Sequence, residues 1–311
     1  MMTAKVQHLR DWLATRIALE FGLWFVLSLV LSLVFFKEFW TSLGTMLSPD
    51  WIFVQHHAAA WGILALCVIW LYLKRREIIR EVSPGLKPVF VPLGLALVAG
   101  AILIPSSQNY LVFQVLLASL GVFIAIFGKA AKIPSILLGI YGFGISFPLI
   151  IERFAEIPYS IGALKPLMWI LTGLGYPFQN DGVWVNFTSV SGEPVSVAII
   201  SACGGPVTMG VFLSIFALMM LDMPLPPKKA TWIFLFGVVG TWFQAIIRLI
   251  ILMLVGYYWG RDTLFWVHSW TIYVVFPLWY LLFVYVYFRQ VKRPPEARGK
   301  QELRYLLAGE R

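Results

Sequence analysis

Long apolar runs recur along most of the chain and constrain its fold more than any other feature. About 20 apolar residues are enough for a helix to cross the roughly 30 Å hydrocarbon layer of a membrane. Only 13% of the 311 residues are charged, about half of the share that soluble domains carry. The predicted spans are residues 17–36, 52–73, 89–104, 110–127, 134–151, 201–221, 231–256 and 268–288. The sequence therefore predicts an all-α polytopic membrane protein, with about eight transmembrane helices in a single transmembrane domain, 1–311.

The lysines and arginines predict the orientation, because cytoplasmic loops of membrane proteins are enriched in them. With the N-terminus inside, most of the 24 basic residues lie on the cytoplasmic side. Those on the outer side are Lys37, Arg153, Lys165 and Arg261. Both termini are therefore predicted to be cytoplasmic, and 289–311 is predicted to be a basic cytoplasmic tail against anionic headgroups. The membrane explains the positive charge, so no nucleic-acid partner is expected.

The mixed segment 152–197 is predicted to be an extracytoplasmic insertion. Residues 164–175 are too short to span the membrane, and the prolines Pro166 and Pro177 suggest an interfacial or re-entrant helix. Alternating apolar residues from Val183 onwards and a turn at 191–194 then predict a short extracytoplasmic β-hairpin before the sixth transmembrane helix. The alternative is a loop that only covers the mouth of the bundle.

Cys203 stands where this insertion meets the sixth apolar run. Because Pro206 is tolerated only in the first turn of a helix, the helix is predicted to begin between residues 202 and 205. A thiol at that place lies near unpaired backbone amides and the positive end of the helix dipole, which favour the thiolate. The alternative is an inert buried cysteine, which is the interpretation that fits Cys67 in the second run.

Arg248 interrupts the mostly apolar run 242–250. A charged residue inside a membrane helix costs about 3 kcal/mol or more and usually marks a functional site. The predicted topology places Arg248 in the outer half of the seventh helix, roughly 12 Å below its end, and its long side chain reaches the interface from there. The structural alternative is a pairing with Glu152, Glu156 or a backbone carbonyl.

His268 lies between Trp266 and Trp270 at the predicted outer start of the eighth helix. Histidine exchanges protons near neutral pH, and the alternative is a histidine at headgroup level with no role. The topology, which was derived without Cys203, Arg248 or His268, places all three toward the outer face. A thiolate, an imidazole and a guanidinium suffice for acyl transfer through a thioester.

With Cys203, Arg248 and His268 in this order along the chain, the sequence resembles the exosortase/archaeosortase family of multi-span cysteine transpeptidases. The likeness rests on Ala202-Cys203-Gly204-Gly205 after the hairpin, Arg248 in the next helix and His268 opening the last one. It covers about residues 90–290 and is strongest over 182–288. The resemblance implies that Cys203 is the nucleophile, Arg248 the electrostatic partner and His268 the acid/base. Gly204 replaces the usual Ser, and Ala245 stands where many members have an Asn, so the subgroup stays open.

The resemblance also implies the partners. The family's substrates are exported proteins whose C-terminal sorting signal combines a short motif, a transmembrane helix and a basic cluster. The enzyme removes the signal at the extracytoplasmic face, and archaeal members pass the new carboxyl end to a membrane lipid. The protein is accordingly expected to be a cell-membrane protein with its active site facing outside.

No cofactor or metal is expected from the sequence, because it has no phosphate-binding loop and its acidic residues do not cluster at ligand spacing. Two other functions fit the same residues. One is a non-catalytic membrane transporter or assembly subunit in which Arg248 binds an anion or a lipid headgroup. The other is an intramembrane protease that uses water as the acceptor.

Overall fold

A computed structural model describes residues 2–48, 55–82, 87–105 and 110–291. The described chain is mostly helical and forms two compact units. The first unit comprises Met1–Ser160 and Ile200–Leu218, and the second comprises Ile161–Ile199 and Met219–Arg311. The single domain over 1–311 stays a prediction. The predicted basic tail lies outside the described residues from 292 onwards.

Eight helical segments account for most of the described residues. They are α1 (Met2–Phe35), α2 (Lys37–Met46), α3 (Gln55–Glu81), α4 (Val91–Leu103), α5 (Leu111–Phe127), α6 (Lys132–Gly173), α7 (Pro206–Asp222) and α8 (Pro227–Gln290). Two of these segments are broken inside. Ala155 in α6 has φ −142° and ψ 22°, and Gly260 in α8 has φ 82° and ψ −176°. We call 227–259 and 261–290 the first and second arms of α8.

Four helical stretches of the described chain are long and apolar enough to cross a membrane. They are Thr15–Phe35, His57–Glu81, Leu111–Gly173 and Pro227–Gln290. The last two have 63 and 64 residues. Each would be roughly 95 Å long if straight, about three times the hydrocarbon thickness. The breaks at Ala155 and Gly260, and a 3-10 turn at Gly128–Ala131, divide them. The fold is therefore that of a helical membrane protein, and the count of eight spans stays a prediction.

Glycines bring helices of the first unit into close contact. A Cβ atom on Gly121 of α5 would lie 2.6 Å from the carbonyl oxygen of Gly94 in α4. Likewise, a Cβ atom on Gly210 of α7 would lie 2.5 Å from the carbonyl oxygen of Gly144 in α6. Small residues allow such approaches between membrane helices, which are held mainly by packing. The Gly144–Gly210 contact fixes α7 against the part of α6 that lies in the same unit.

The second unit contains an antiparallel sheet with one strand more than predicted. Its strands, in the order β1-β2-β3, are β1 (Gln179–Asp181), β2 (Trp184–Thr188) and β3 (Pro194–Ala198). Val185, Phe187 and Val195 are buried, whereas Trp184 is exposed, as the alternating pattern predicts. The predicted hairpin is therefore confirmed as β2 and β3, and β1 extends it.

Two helical segments differ from the sequence prediction. The helix expected over 164–175 begins earlier, because α6 resumes directly after Ala155 and Pro166 lies inside it. Membrane helices tolerate an internal proline, so Pro166 was the wrong boundary signal. The short helix α2 was not predicted, and it occupies part of the connection between the first two apolar runs.

Candidate active site

Cys203 lies in a 3-10 turn, Ser201–Gly204, that leads from the sheet to α7. Its backbone N–H donates to the carbonyl oxygen of Ile200 at 2.9 Å, and its side chain is half-buried. Gly205 follows in the left-handed conformation, with φ 83° and ψ 35°. This is a backbone region that side chains other than glycine rarely adopt. Gly205 therefore separates the turn that carries the thiol from the helix.

The helix itself begins at Pro206, one residue after the predicted range of 202 to 205. Proline at the first helical position agrees with the reasoning from its missing N–H. The carbonyl of Gly205 accepts from the Met209 N–H at 2.9 Å and from the Thr208 hydroxyl at 2.7 Å, which closes the first turn. The helix dipole acts mainly within the first turn, so its effect on a thiol three residues before Pro206 stays a prediction.

Arg248 lies in the first arm of α8 and only 1% of it is exposed. Its Nη2 donates to the carbonyl oxygen of His268 at 3.3 Å, and its Nε donates to the Thr271 hydroxyl at 3.4 Å. Both partners belong to the second arm, so the guanidinium links the two arms. A charge buried this deeply requires hydrogen-bond partners, and the second arm supplies them.

His268 lies eight residues after the break at Gly260, well inside the second arm. The prediction that it opens the last helix is therefore about two turns off, because the arm begins directly after a single glycine instead of after a loop. The side chain is half-buried. The neighbouring Trp266 and Trp270 are exposed, as expected for tryptophans at a membrane interface.

A row of buried polar side chains, which the sequence analysis missed, accompanies Arg248. Thr241, Gln244 and Arg248 follow one another along the first arm at spacings of three and four residues, so the three side chains share one face of the helix. The indole Nε1 of Trp279 donates to the Thr241 hydroxyl at 2.9 Å, and the Gln244 amide donates to the carbonyl of Val275. The sequence signal was present, since residues spaced by three and four share one helix face. This row holds the arms of α8 in register.

The break in α8 is held by the turn between β2 and β3. The backbone N–H of Arg261 donates to a carboxylate oxygen of Glu193 at 3.4 Å, and the N–H of Val190 donates to the carbonyl of Tyr257 at 2.8 Å. A Cβ atom at Gly260 would lie 2.7 Å from the same Glu193 oxygen. The carboxylate thus satisfies a first amide of the second arm, where a negative charge is favoured.

A pair of tyrosines makes a second contact near this break. The hydroxyls of Tyr176, which follows α6, and Tyr258 are 3.1 Å apart. This hydrogen bond raises the pKa of Tyr176 above its usual value. The segment before the sheet is therefore tied to the end of the first arm.

Of the three residues that the sequence singled out, the structure brings two together. Arg248 contacts the backbone of His268 within the second unit, whereas Cys203 belongs to the first unit. The approach of the thiol to the guanidinium and the imidazole stays a prediction. The bond from Arg248 to a backbone carbonyl is one of the pairings that the structural alternative anticipated. Among the described residues, no three side chains of His, Cys, Asp or Glu gather as metal ligands.

The helices and the sheet define an integral membrane protein in which a cysteine turn follows an antiparallel sheet and a buried arginine lies in the second helix after that turn. The chain matches the family described as transmembrane exosortase over residues 51–285. This range covers most of the 311 residues and includes Cys203, Arg248 and His268. The chain therefore belongs to the transmembrane exosortase family. No curated protein and no solved structure matched it.

Proposed function

We propose that this exosortase is a cysteine transpeptidase that cleaves C-terminal sorting signals of exported proteins and transfers the new carboxyl end to a membrane lipid. Family membership supports this proposal, and the observation that carries it furthest is a thiol in a glycine-bounded turn directly after the sheet. Gly204 and Gly205 present little side-chain bulk beside the thiol, which favours the approach of a peptide backbone. The substrates are proteins that end in a short motif, a transmembrane helix and a basic cluster.

In the first half of the reaction, the Cys203 thiolate attacks the scissile carbonyl and a carbon–sulfur bond forms. The tetrahedral intermediate collapses to a thioester as the carbon–nitrogen bond breaks, and the imidazolium of His268 gives its proton to the leaving amine. In the second half, neutral His268 takes a proton from the acceptor, which attacks the thioester and releases the thiolate. Protons and electron pairs balance over the cycle, so that no cofactor is required.

Arg248 stabilises negative charge on the thiolate or on the tetrahedral oxyanion. A guanidinium keeps its charge in any environment and presents several donors in a fixed plane. Such a donor contributes about 3–4 kcal/mol to transition-state stabilisation in comparable sites. The hydrogen bonds to the His268 carbonyl and the Thr271 hydroxyl keep this plane fixed relative to the helix that carries the acid/base.

We further propose that the protein crosses the cell membrane eight times with both termini in the cytoplasm. The helical stretches that exceed the bilayer thickness are broken at Ala155 and Gly260, which supports dividing each into shorter spans. Segment 152–197, including the sheet, is then extracytoplasmic, and so are the outer ends of α3, α6 and α7. The basic residues after Val291 lie at the cytoplasmic surface.

The proposal is tested by expressing the protein with an exported substrate that carries a sorting signal. We expect Cys203→Ala, Cys203→Ser, Arg248→Ala and His268→Ala each to abolish processing, and Ser269→Ala, an exposed neighbour on the same arm, to leave it unchanged. Intact mass spectrometry of the product should show a lipid mass on the new carboxyl end. A free carboxyl end would indicate an intramembrane protease that uses water.

The same experiment separates the enzyme from a transporter or assembly subunit. If Arg248→Ala abolishes function while Cys203→Ala and Cys203→Ser retain it, the thiol has no chemical role. Arg248 would then bind an anion or a lipid headgroup. That result would overturn the enzymatic proposal.

A further inference from the structure

The first unit contains two adjoining cavities between α3, α5 and α6. The upper one has a volume of about 170 Å³ and is walled mainly by apolar side chains, with His57 and Glu152 as its polar members. The lower one, of about 130 Å³, is lined by apolar side chains and by Cys67. Tyr141 forms a wall of both cavities. We call the two together the α3–α6 slot.

The slot is polar at one end and apolar along the rest of its length. His57 stands in the first turn of α3, and the lower cavity reaches Leu71, roughly 21 Å further along that helix. On the facing helix, Glu152 lies roughly 16 Å from Tyr141. This upper part alone is about as deep as one leaflet, which is half of the roughly 30 Å hydrocarbon layer. An amino-acid side chain is therefore far too short to occupy the whole length of the slot.

The polar end of the slot lies close to the thiol along the chain. Val207, the second residue of α7, lines the upper cavity, and it follows Cys203 by four residues in the same unit. Four residues span at most about 14 Å. Cys203 therefore lies no more than about 14 Å of chain from the wall of the upper cavity.

We propose that the α3–α6 slot binds the hydrocarbon chain of the membrane lipid that accepts the cleaved protein, with the lipid headgroup at His57 and Glu152. This inference rests on the proposed transpeptidase function and adds the acceptor's binding site to it. The chemistry recognised is a long apolar chain with a polar head that carries a hydroxyl or an amine. Glu152 disfavours a net negative headgroup at the mouth, so zwitterionic lipids bind in preference to anionic ones.

Lipid binding is tested with the full-length protein in vesicles that contain a phospholipid with a diazirine on its acyl chain. Irradiation is expected to label peptides of α3 and α6. Two variants fill the slot, Val112→Phe in the upper cavity and Cys67→Phe in the lower one. Both are expected to lower this labelling at least about fivefold. Ile69→Phe, on the exposed face of α3, is the matched control and keeps it. Labelling that avoids α3 and α6, or that the filled variants retain, would overturn the inference.

Product analysis gives a second and independent readout. In the filled variants, the ratio of lipid-linked to free carboxyl product should fall about tenfold, and the acyl-enzyme on Cys203 should accumulate. If these variants lose cleavage without accumulating an acyl-enzyme, the slot receives the substrate and the lipid assignment is wrong. If Cys203→Ala still processes substrate while the labelling pattern holds, the slot stands and the transpeptidase proposal falls.

A charge reversal at the mouth keeps the inference falsifiable if the filled variants fail to fold. Glu152 is exposed, so Glu152→Arg leaves the packed walls intact. With matched zwitterionic and anionic diazirine lipids, this variant should reverse the preference of the wild type. An unchanged preference would show that no headgroup lies at Glu152, and would contradict the proposed orientation of the lipid.

Discussion

Among the described residues, Arg248 is the largest side chain that is almost fully buried. A charge in that position is stable only where hydrogen bonds compensate for lost water. In the second arm, the His268 carbonyl and the Thr271 hydroxyl accept hydrogen bonds from the guanidinium.

The geometry of the guanidinium should matter more than its charge. Arg248→Lys keeps the charge and loses the planar fork, so we expect kcat/KM for substrate cleavage to fall at least about 100-fold. The kinetics of processing in reconstituted vesicles measure this effect. Wild-type activity in Arg248→Lys would show that a point charge suffices, and a loss confined to thermal stability would favour the structural alternative.

Thr271 is a positioning residue in this account, because it acts only through Arg248. Thr271→Val is nearly isosteric and removes the acceptor of the Nε hydrogen bond, and we expect kcat to fall about tenfold while KM is unchanged, which corresponds to about 1.4 kcal/mol. Thr271→Ser restores the hydroxyl and should restore kcat. Equal activity of the Val and Ser variants would remove Thr271 from the mechanism.

At the scale of elements, the break at Gly260 is the feature that orders the second unit. A glycine with φ 82° turns α8 back on itself, and the β2–β3 turn holds that break through Glu193 and Val190. The β2–β3 turn is thereby bonded to both arms: the Val190 N–H donates to the carbonyl of Tyr257 in the first arm, and the Glu193 carboxylate accepts from the Arg261 N–H in the arm that carries His268.

Gly260→Ala tests this feature. A side chain there needs an unfavourable backbone conformation and meets the Glu193 carboxylate, so we expect a loss of about 1–3 kcal/mol in stability. Thermal unfolding in detergent provides the measurement. Gly162→Ala is the matched control, since that helical glycine has open space around it and alanine should be neutral or stabilising by about 1 kcal/mol. In a Glu193→Ala background the cost at Gly260 should be smaller, and an unchanged cost would show that the carboxylate contact is irrelevant.

The element boundaries show what the sequence could and could not predict. Long apolar runs and the alternation of Val185 and Phe187 identified the helices and two strands, because burial imposes those periods directly. The sequence predicted a connection over 257–267 between the seventh and eighth helices, but it did not show that the helix resumes directly after the single residue Gly260. For the same reason, His268 was predicted at the start of the last helix, whereas the structure places it inside that helix. Pro206 was placed correctly because its missing N–H restricts it to a first turn.

Residues that act through tertiary contacts were harder to predict than those with unusual chemistry. Cys203, Arg248 and His268 stood out as reactive or charged groups in apolar surroundings. Gln244 and Thr271 did not, because their importance comes from partners on the other arm, 31 and 23 positions away. The side-chain oxygen of Gln244, Oε1, is buried without a hydrogen-bond partner among the described residues. The sequence could not reveal this.

At the scale of the whole molecule, the proposed topology follows from charge. Basic residues at the predicted inner ends of the helices favour the cytoplasmic side for those ends. The few on the predicted outer side, such as Arg153 and Arg261, do not outweigh them. If the proposed topology is right, the sheet, the start of α7 and the mouth of the α3–α6 slot each face the outer side of the membrane.

Thiol labelling tests this topology in intact cells. We expect Asn180→Cys in β1 to react with a membrane-impermeant maleimide, because β1 is exposed and is predicted to face outward. Lys228→Cys, at the start of α8, should react only after lysis. Both variants are made in a Cys203→Ser background, in which the remaining Cys67 is buried. The opposite pattern would reverse the topology and place the thiol in the cytoplasm.

The most direct test of the account is the mass of the peptide that contains Cys203 after brief reaction with substrate and an acid quench. We predict an added mass equal to the substrate's acyl portion, which hydroxylamine removes as expected for a thioester and which Cys203→Ala lacks. Cleavage that proceeds in the wild type with no adduct on Cys203, and equally well in Cys203→Ala, would contradict the central claim that this thiol is the nucleophile.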